Sequence, residues 1–352
     1  MSHHILSVNP GSTSTKIALF RDETEIFRTE IKAPAGHGSP AAQAEHITAQ
    51  VIETLAAHSF LPSALSAVVG RGGMLPPVKV GGYLVGPDML RWLAEKATLR
   101  HASNLGAPVA YAMAAPLGIP AYVYDCVSSD EMWDMAKITG IPELSRQSFC
   151  HVLNAKAAAR MVAERQGKRY DTMHLIVAHL GGGISVSAHA CGRMVDVIPD
   201  DAGHFSPERA GGAPLSAFAA LCYSGTYSER EMDRKLRGHG GLKAHLGTSD
   251  CIEIEARIAG GDAIARQVYE AMAYTVAKSI GMLSVALGGR LDAIILTGGL
   301  ANSNLLTGMI IRYVSFLAPV ERIPGEHEME ALALGALRLL RGEETPHVFT
   351  ER

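Results

Sequence analysis

The chain has 352 residues, of which 47% are hydrophobic and 19% charged, and its formal net charge at pH 7 is −3. This length predicts two domains, and the small net charge offers no electrostatic basis for nucleic acid or an anionic membrane as the main partner. No apolar run reaches the roughly 18 residues of a membrane-spanning helix, and no secretory signal is evident, so we expect a cytoplasmic protein without a membrane partner.

The first predicted element is a β-hairpin with a turn rich in hydroxyl groups. Two apolar strands flank the sequence N-P-G-S-T-S-T-K at residues 9–16. Gly11 permits a positive φ, and the turn can offer backbone N–H groups, hydroxyls and the Lys16 ammonium to an anion. The spacing is not that of a Walker A loop. The segment alone is compatible with a phosphate site or with an ordinary hairpin.

Helical periodicity follows over 42–57, and then an apolar strand runs into the sequence G-R-G-G at residues 70–73. The flanking glycines give Arg71 access to a bound anion, which its planar guanidinium fork suits. A later strand ends in Asp125, a residue that could also cap a turn. A long helix is predicted over 151–166, with His151 at its start.

The second half repeats this order of elements. A strand, a glycine turn at 181–183 and a second strand form a hairpin over 174–188, with Gly181 in the place of Gly11. A loop carrying Arg209 follows, then a helix over 262–287, a strand that ends in a glycine pair at 298–299, and a helix over 330–340. Two halves with one order of elements indicate an internal duplication.

This arrangement resembles the actin, hexokinase and Hsp70 superfamily. The resemblance implies an α/β protein with a duplicated two-domain actin-like ATPase fold of the ribonuclease H type, in which mixed sheets are flanked by helices and an interdomain cleft holds the nucleotide. We expect an N-terminal acyl- and phosphate-binding domain over 1–155 plus 336–352, because the last helix of such proteins often packs back onto the first domain. The predicted C-terminal nucleotide-binding domain spans 156–335.

A series of motifs along nearly the whole chain resembles the acetate kinase and butyrate kinase family, and more closely its butyrate kinase branch. The motifs are N-P-G-S-T-S-T-K, V-V-G-R-G-G, H-A-S-N-L-G-A, A-H-L-G-G-G-I-S-V, S-P-E-R, L-T-G-G and E-M-E-A-L-A-L-G-A-L. The resemblance implies reversible transfer of the ATP γ-phosphoryl group to the carboxylate of a short-chain fatty acid, butyrate or isobutyrate. It also implies ATP/ADP and Mg²⁺ as cofactors and a homodimer or higher homo-oligomer.

The resemblance also implies roles for individual residues. Arg71 and Arg209 would flank the carboxylate and the transferring phosphoryl group, to which His151 would donate a hydrogen bond. The other implied sites are the phosphate cleft at Asn9, Ser12, Ser14 and Lys16, the β-phosphate at Gly181, Gly182 and Gly183, adenosine at Gly298, Gly299 and Asn302, and Mg²⁺ at Asp125 and Glu330. Glu328 is the alternative to Glu330, which could equally offset the helix dipole. His101 and Asn104 are further candidates, on the acyl side.

Two other functions stay open at this point. A kinase for a small hydroxyl acceptor such as a sugar would use Asp125 as a base. A non-enzymatic nucleotide switch would change the angle between its halves to control a protein partner. Within the carboxylate kinases the preferred acid is also open, because a methylene group changes selectivity by only about 1–3 kcal/mol. Butyrate, isobutyrate, another branched acid or propionate would fit.

Overall fold

The computed structural model describes residues 2–11, 14–32, 39–97 and 102–351. The chain forms two compact units, the first made of Met1–Asp130 with His327–Arg352 and the second of Glu131–Glu326. In the part of the chain that is described, each helix is too short or too polar to cross a lipid bilayer.

The strands of the described chain are β1 (His4–Pro10), β2 (Ser14–Arg21), β3 (Thr24–Lys32), β4 (Ala67–Arg71), β5 (Gly82–Leu84), β6 (Ala121–Tyr124), β7 (His174–Leu180), β8 (Ile184–Ala190), β9 (Arg193–Ile198), β10 (Ala293–Gly298), β11 (Val320–Pro324) and β12 (His347–Val348). The helices are α1 (Pro40–Ala57), α2 (Pro87–Glu95), α3 (Gly106–Ala114), α4 (Asp134–Lys137), α5 (Val152–Arg165), α6 (Leu215–Cys222), α7 (Glu229–Leu236), α8 (Gly241–Leu246), α9 (Cys251–Ala259), α10 (Ala263–Ala286), α11 (Asn304–Val314) and α12 (Glu328–Leu340).

The two sheets repeat one topology. The first has the order β12-β5-β6-β4-β1-β2-β3 and the second the order β11-β10-β7-β8-β9. In each sheet, three consecutive strands pair in antiparallel fashion. A later strand then pairs in parallel with the first of the three, β4 with β1 and β10 with β7. A further strand pairs in parallel with that one, β6 with β4 and β11 with β10. This repeat confirms the predicted duplication and the mixed sheets flanked by helices.

The central strands are buried on both faces, as their continuous apolar runs predict. In β7, Leu175 and Val177 pack with α5, whereas Ile176 and Ala178 pack with α10. Alternate residues of β7 therefore pack into two different hydrophobic cores, one on each face of the sheet. In the first unit, Leu6 of β1 packs in the core that α1 and α3 contribute to.

Two helices pack in the unit opposite to the one their place in the sequence suggests. The helix α5 comes after β6 of the first sheet but packs on β7 and β10 of the second, while α12 comes after β11 and packs on β1, β4 and β6. The predicted boundaries at 155/156 and 335/336 fall inside these helices, whereas the units divide before them, at 130/131 and 326/327. The acyl- and nucleotide-binding roles of the two domains, and the cleft, stay predictions.

Candidate functional site

Three polar side chains meet at the carboxyl end of β1 in the first unit. Nδ2 of Asn9 donates to Oε2 of Glu328 at 2.6 Å. Nη1 of Arg71 lies 3.4 Å from Oδ1 of Asn9 and 3.3 Å from the same Glu328 oxygen. Asn9 and Glu328 are buried, whereas the Arg71 side chain is 25% exposed. These three residues, the Asn9 cluster, combine an amide, a carboxylate and a cation, groups that bind metal ions and phosphoryl oxygens.

Arg71 is placed by a close approach between two backbones. A Cβ added to Gly70 would lie 2.2 Å from the carbonyl oxygen of Gly106, so β4 touches the start of α3 directly. After Arg71 the chain is held by Asn104, whose Oδ1 accepts from the N–H of Met74 at 2.8 Å. Asn104 therefore supports the loop that follows the arginine, and the other candidate of its motif, His101, lies outside the described residues.

The first turn of α12 contains two glutamates in different surroundings. Glu328 is buried in the Asn9 cluster. The Glu330 side chain is 44% exposed, and its Oε2 lies 4.0 Å from Nδ1 of His327. Of the two residues considered for Mg²⁺, the structure brings Glu328 to Asn9 and Arg71.

Asp125 follows β6 in a strained conformation. Its φ is 44°, in the left-handed region that few non-glycine residues adopt, and it is buried. Its Oδ1 accepts from the N–H of Gly81 at 3.0 Å, and its own N–H donates to the Gly81 carbonyl at 3.1 Å. One carboxylate oxygen thus has a structural role in joining Asp125 to the start of β5.

The predicted phosphate hairpin is present as β1 and β2, with a turn closed by a bond of 2.7 Å from the N–H of Gly11 to the carbonyl of Ser14. Ser12 lies outside the described residues. The Ser14 hydroxyl donates to Oε1 of Glu30 on β3. Lys16 pairs with Asn9 across the hairpin, so the two side chains leave the same face of the sheet.

A second cluster lies in the second unit, where a row of side chains crosses three strands. Thr297 on β10 pairs with His179 on β7, which in turn pairs with Ser185 on β8. The helix α5 packs on β7 and β10 and begins with His151 as its N-cap and Asn154 in its first turn. Residues three apart share one helix face, so His151 and Asn154 both meet the row.

The geometry of this histidine cluster (His151, Asn154, His179, Ser185 and Thr297) is tight. The two imidazole rings stack with centroids 3.8 Å apart and planes inclined by 11°. Nδ1 of His151 lies 2.9 Å from the Ser185 hydroxyl, and Nδ1 of His179 lies 2.8 Å from Nδ2 of Asn154. That amide nitrogen also donates to Oγ1 of Thr297 at 3.2 Å.

The predicted glycine turn at 181–183 is held by the S-P-E-R motif. The carbonyl of Gly182 accepts from the Ser206 hydroxyl at 2.8 Å and from the N–H of Glu208 at 3.1 Å. A Cβ on Gly181 would come within 3.2 Å of Nε2 of His179. The turn therefore lies against both the S-P-E-R loop and the histidine cluster.

Arg209 is tethered beside this turn by acidic side chains. Its Nε donates to Oδ2 of Asp200 at 3.0 Å, and its Nη1 lies 3.7 Å from Oε2 of Glu208. The same Asp200 oxygen would meet a Cβ on Gly183 at 3.2 Å, and the other Asp200 oxygen lies 3.9 Å from Nη2 of Arg237. The Arg209 side chain is 26% exposed. Asp200 thus aligns the arginine with the glycine turn.

The glycine pair after β10 forms a tight turn. Gly298 has a φ of 89°, and a Cβ there would lie 2.4 Å from the carbonyl oxygen of Leu180 at the end of β7. Nδ2 of Asn302 donates to the carbonyl of Gly299 at 3.0 Å. Arg322 Nη2 donates to the Ala301 carbonyl at 2.8 Å and secures the same turn.

The thiols next to these clusters are not nucleophiles. Cys126 follows Asp125 and Cys150 precedes His151, and both are buried. Burial raises the pKa of each thiol to about 12. Both sulfurs therefore stay protonated at neutral pH, and the thiolate is the reactive form.

Several side chains of these clusters do not figure among the residues predicted from the sequence: His179, Asn154, Ser185, Thr297 and Asp200. A signal for His179 does exist in the duplication. Gly11 and Gly181 are equivalent, so Asn9 and His179, each two residues earlier, are equivalent as well. In each unit the start of an incoming helix supplies the partner, Glu328 for Asn9 and His151 for His179.

Comparison with known proteins identifies a family for this chain. Residues 144–319 match the acetokinase family. A protein named probable butyrate kinase 2, from Caldanaerobacter subterraneus subsp. tengcongensis, is 46% identical over 98% of this chain and 99% of its own length. Butyrate kinase 2 of Clostridium acetobutylicum is 43% identical over 98% of both chains.

The crystal structure of Porphyromonas gingivalis acetate kinase superposes with a TM-score of 0.79 at 18% identity, over 94% of this chain and 98% of that one. It shows the shared fold and confirms the predicted fold class. The relatives at 46% and 43% identity span nearly the whole chain, and the family match spans half of it. The chain therefore belongs to the acetokinase family and is a carboxylate kinase.

Proposed function

We propose that the protein transfers the γ-phosphoryl group of ATP to butyrate or isobutyrate and also catalyses the reverse reaction. The observation that carries this proposal is the near-complete match, at 46% and 43% identity, to proteins named as butyrate kinases. The acceptor carboxylate is deprotonated at neutral pH, so the reaction needs no general base. It needs positioning and stabilisation of charge.

Arg71 and Arg209 are the proposed sources of that stabilisation. Each holds a guanidinium group next to a carboxylate, Glu328 and Asp200 respectively, and keeps about a quarter of its side chain exposed, at 25% and 26%. A planar fork binds carboxylate and phosphoryl oxygens in a bidentate manner. We assign both arginines to the acid and the group in transfer.

We also propose contacts for the nucleotide. We assign the phosphates to Asn9, Lys16 and the glycine turn at 181–183, and the adenosine to the turn of Gly298, Gly299 and Asn302. Ser12 and Ser14 belong to the same proposed phosphate site, although Ser14 is bonded to Glu30. His151 is proposed to donate a hydrogen bond to the transferring group. We propose direct in-line transfer without a covalent enzyme intermediate, and the buried, protonated thiols of Cys126 and Cys150 are not candidate nucleophiles.

The residues of the Asn9 cluster fit Mg²⁺. This ion takes oxygen ligands and is usually held by one or two carboxylates, waters and substrate phosphates. The described residues contain no group of three or more His, Cys, Asp or Glu that could hold a metal ion. Glu328 and Asp125 would therefore bind Mg²⁺ jointly with the nucleotide. The bound ion would neutralise charge on the phosphate oxygens. Glu330 is the alternative ligand. Cytoplasmic location and a homodimeric state stay predictions.

The test is a hydroxamate assay on the purified protein. ATP, Mg²⁺ and hydroxylamine are incubated with acetate, propionate, butyrate, isobutyrate or a panel of sugars, and acyl hydroxamate and ADP are both measured. We expect hydroxamate with the four-carbon acids, at rates above those with acetate. Hydroxamate with acetate or propionate alone would contradict the proposed substrate, and ADP released only with sugars would contradict the proposed function as a whole.

A further inference from the structure

The Asn154 amide links Thr297 to His179 in the histidine cluster. Its Nδ2 donates to Oγ1 of Thr297 at 3.2 Å. The Thr297 hydroxyl is directed at the carbonyl oxygen of Gly325, at the longer distance of 3.5 Å. The Asn154 side chain thus presents its NH₂ group to Thr297.

The same NH₂ group determines the tautomer of His179. Nδ2 of Asn154 lies 2.8 Å from Nδ1 of His179, and an amide NH₂ donates but does not accept. Nδ1 of His179 therefore carries a lone pair, and the ring proton is on Nε2. The Nε2 edge faces the glycine turn, because a Cβ on Gly181 would approach this nitrogen at 3.2 Å.

His151 has a partner of a different kind. The Ser185 hydroxyl oxygen accepts from the backbone N–H of His151 at 3.4 Å and lies 2.9 Å from its Nδ1. A hydroxyl can donate to a neutral Nδ1 or accept from a protonated one, so Ser185 suits either charge state.

We propose that Asn154 and Thr297 are positioning residues that hold His179 as its neutral Nε2–H tautomer. In this state His179 donates a hydrogen bond to a phosphate oxygen at the glycine turn. The phosphate contact rests on the proposed function, whereas the tautomer follows from contacts within the second unit alone.

The tautomer is measurable without substrate. In the full-length protein with ¹⁵N-labelled histidine, correlations between ring nitrogens and ring protons separate a protonated nitrogen from one with a lone pair. The His179 signals are assigned by their loss in His179→Gln. We expect a lone pair on Nδ1 and a proton on Nε2. A protonated Nδ1 in the wild-type protein would overturn the proposal.

Two substitutions of Thr297 separate positioning from packing. Thr297→Val keeps the shape but removes the hydroxyl, so the Asn154 amide can turn over and present its oxygen to His179. We expect a proton on Nδ1 of His179 and a fall in kcat of roughly 10- to 100-fold, with the KM for the acid unchanged. Thr297→Ser keeps the hydroxyl and should keep both the wild-type tautomer and the wild-type kcat.

Thr307→Val is the matched control, because Thr307 is also buried and its hydroxyl donates at 2.6 Å to the carbonyl of Ser303, the N-cap of α11. It should change neither the His179 signals nor kcat. An unchanged His179 tautomer in Thr297→Val, or equal losses of kcat in Thr297→Val and Thr307→Val, would overturn the proposal. Inactive wild-type protein would contradict the proposed function but would leave the wild-type spectrum as a test of the tautomer.

Discussion

Asn9 donates a hydrogen bond of 2.6 Å to Glu328, a residue 319 positions later in the chain. The contact exists because α12 follows the second sheet in sequence but packs on the first. The second unit has the reciprocal arrangement, in which α5 brings His151 onto His179. In both units the end of a first strand therefore meets the start of a helix from the other half of the chain.

The first prediction separates Glu328 from Glu330 as the Mg²⁺ ligand. Glu328→Gln removes a buried carboxylate from the Asn9 cluster, so we expect the Mg²⁺ concentration for half-maximal rate to rise and kcat/KM to fall by about 100-fold. Glu330→Gln changes a half-exposed side chain and should behave like the wild type. Initial rates over a Mg²⁺ titration measure both effects. A larger effect of Glu330→Gln than of Glu328→Gln would show that Glu330 is the Mg²⁺ ligand.

The second prediction concerns the two arginines. Arg71→Ala or Arg209→Ala should lower kcat/KM by about 100-fold or more while the fold survives, because each removes a charge that we propose to act on the reacting groups. Lysine at either position should restore little of the lost kcat/KM, since its ammonium group lacks the planar fork of a guanidinium group. Arg28→Ala is the control, because Arg28 forms an exposed ion pair with Glu25. Normal turnover by a folded Arg71 or Arg209 variant would refute the role of that residue.

The third prediction tests how closely α12 packs on the first sheet. A Cβ on Gly335 would lie 2.5 Å from the Tyr124 ring, so Gly335→Ala must push α12 away from β6. We expect a loss of about 1–3 kcal/mol in the free energy of unfolding. Gly308→Ala, in α11, meets nothing within 4 Å and should be neutral or stabilise by about 0.5–1 kcal/mol.

Urea denaturation of the two glycine variants gives the comparison. Because Glu328 is at the start of α12, Gly335→Ala should also reduce kcat/KM, whereas Gly308→Ala should not. Equal stability of the two variants would show that α12 can shift without cost and would contradict the packing argument.

The fourth prediction is a pH dependence of stability. Burial lowers the pKa of His189 from its ordinary value of 6.5 to about 3, and burial also lowers the pKa of His204. At these two sites the unfolded chain therefore binds more protons than the folded chain below pH 6.5. The stability that the neutral rings contribute is fully present above that pH and is lost on acidification. For His189 the loss is about 1.4 kcal/mol per pH unit down to about pH 3.

His189→Gln tests this slope. It removes the bonds of the ring to Tyr170 and Ser187, at 2.6 Å and 2.8 Å, and should cost stability at neutral pH. Between pH 6 and pH 4 its unfolding free energy should nevertheless fall less steeply than that of the wild type, by about 1.4 kcal/mol per pH unit. Parallel slopes for the two proteins would contradict the assignment to His189.

The fold could be predicted from the sequence to a large extent because its signals are local. Apolar runs around Gly11 and Gly181 indicate the two hairpins, and helical periodicity over 262–287 corresponds to α10. The repeated order of elements indicates the duplication. The unit boundaries are less accessible, because the pattern that makes 151–166 a helix is the same whichever sheet it packs on.

The sequence by itself determined the two hairpins, the long helices, the duplication and the family, since strand and helix periods and turn residues depend on neighbours in the chain. Only the tertiary structure decided that Glu328 rather than Glu330 meets Asn9, that Asp200 holds Arg209, and that Thr297 reaches His179 through Asn154. These contacts join residues far apart in sequence, and each depends on how a helix or loop packs against a strand. Spacing along the chain carries no information about that packing, because side-chain partners are chosen by distance in space.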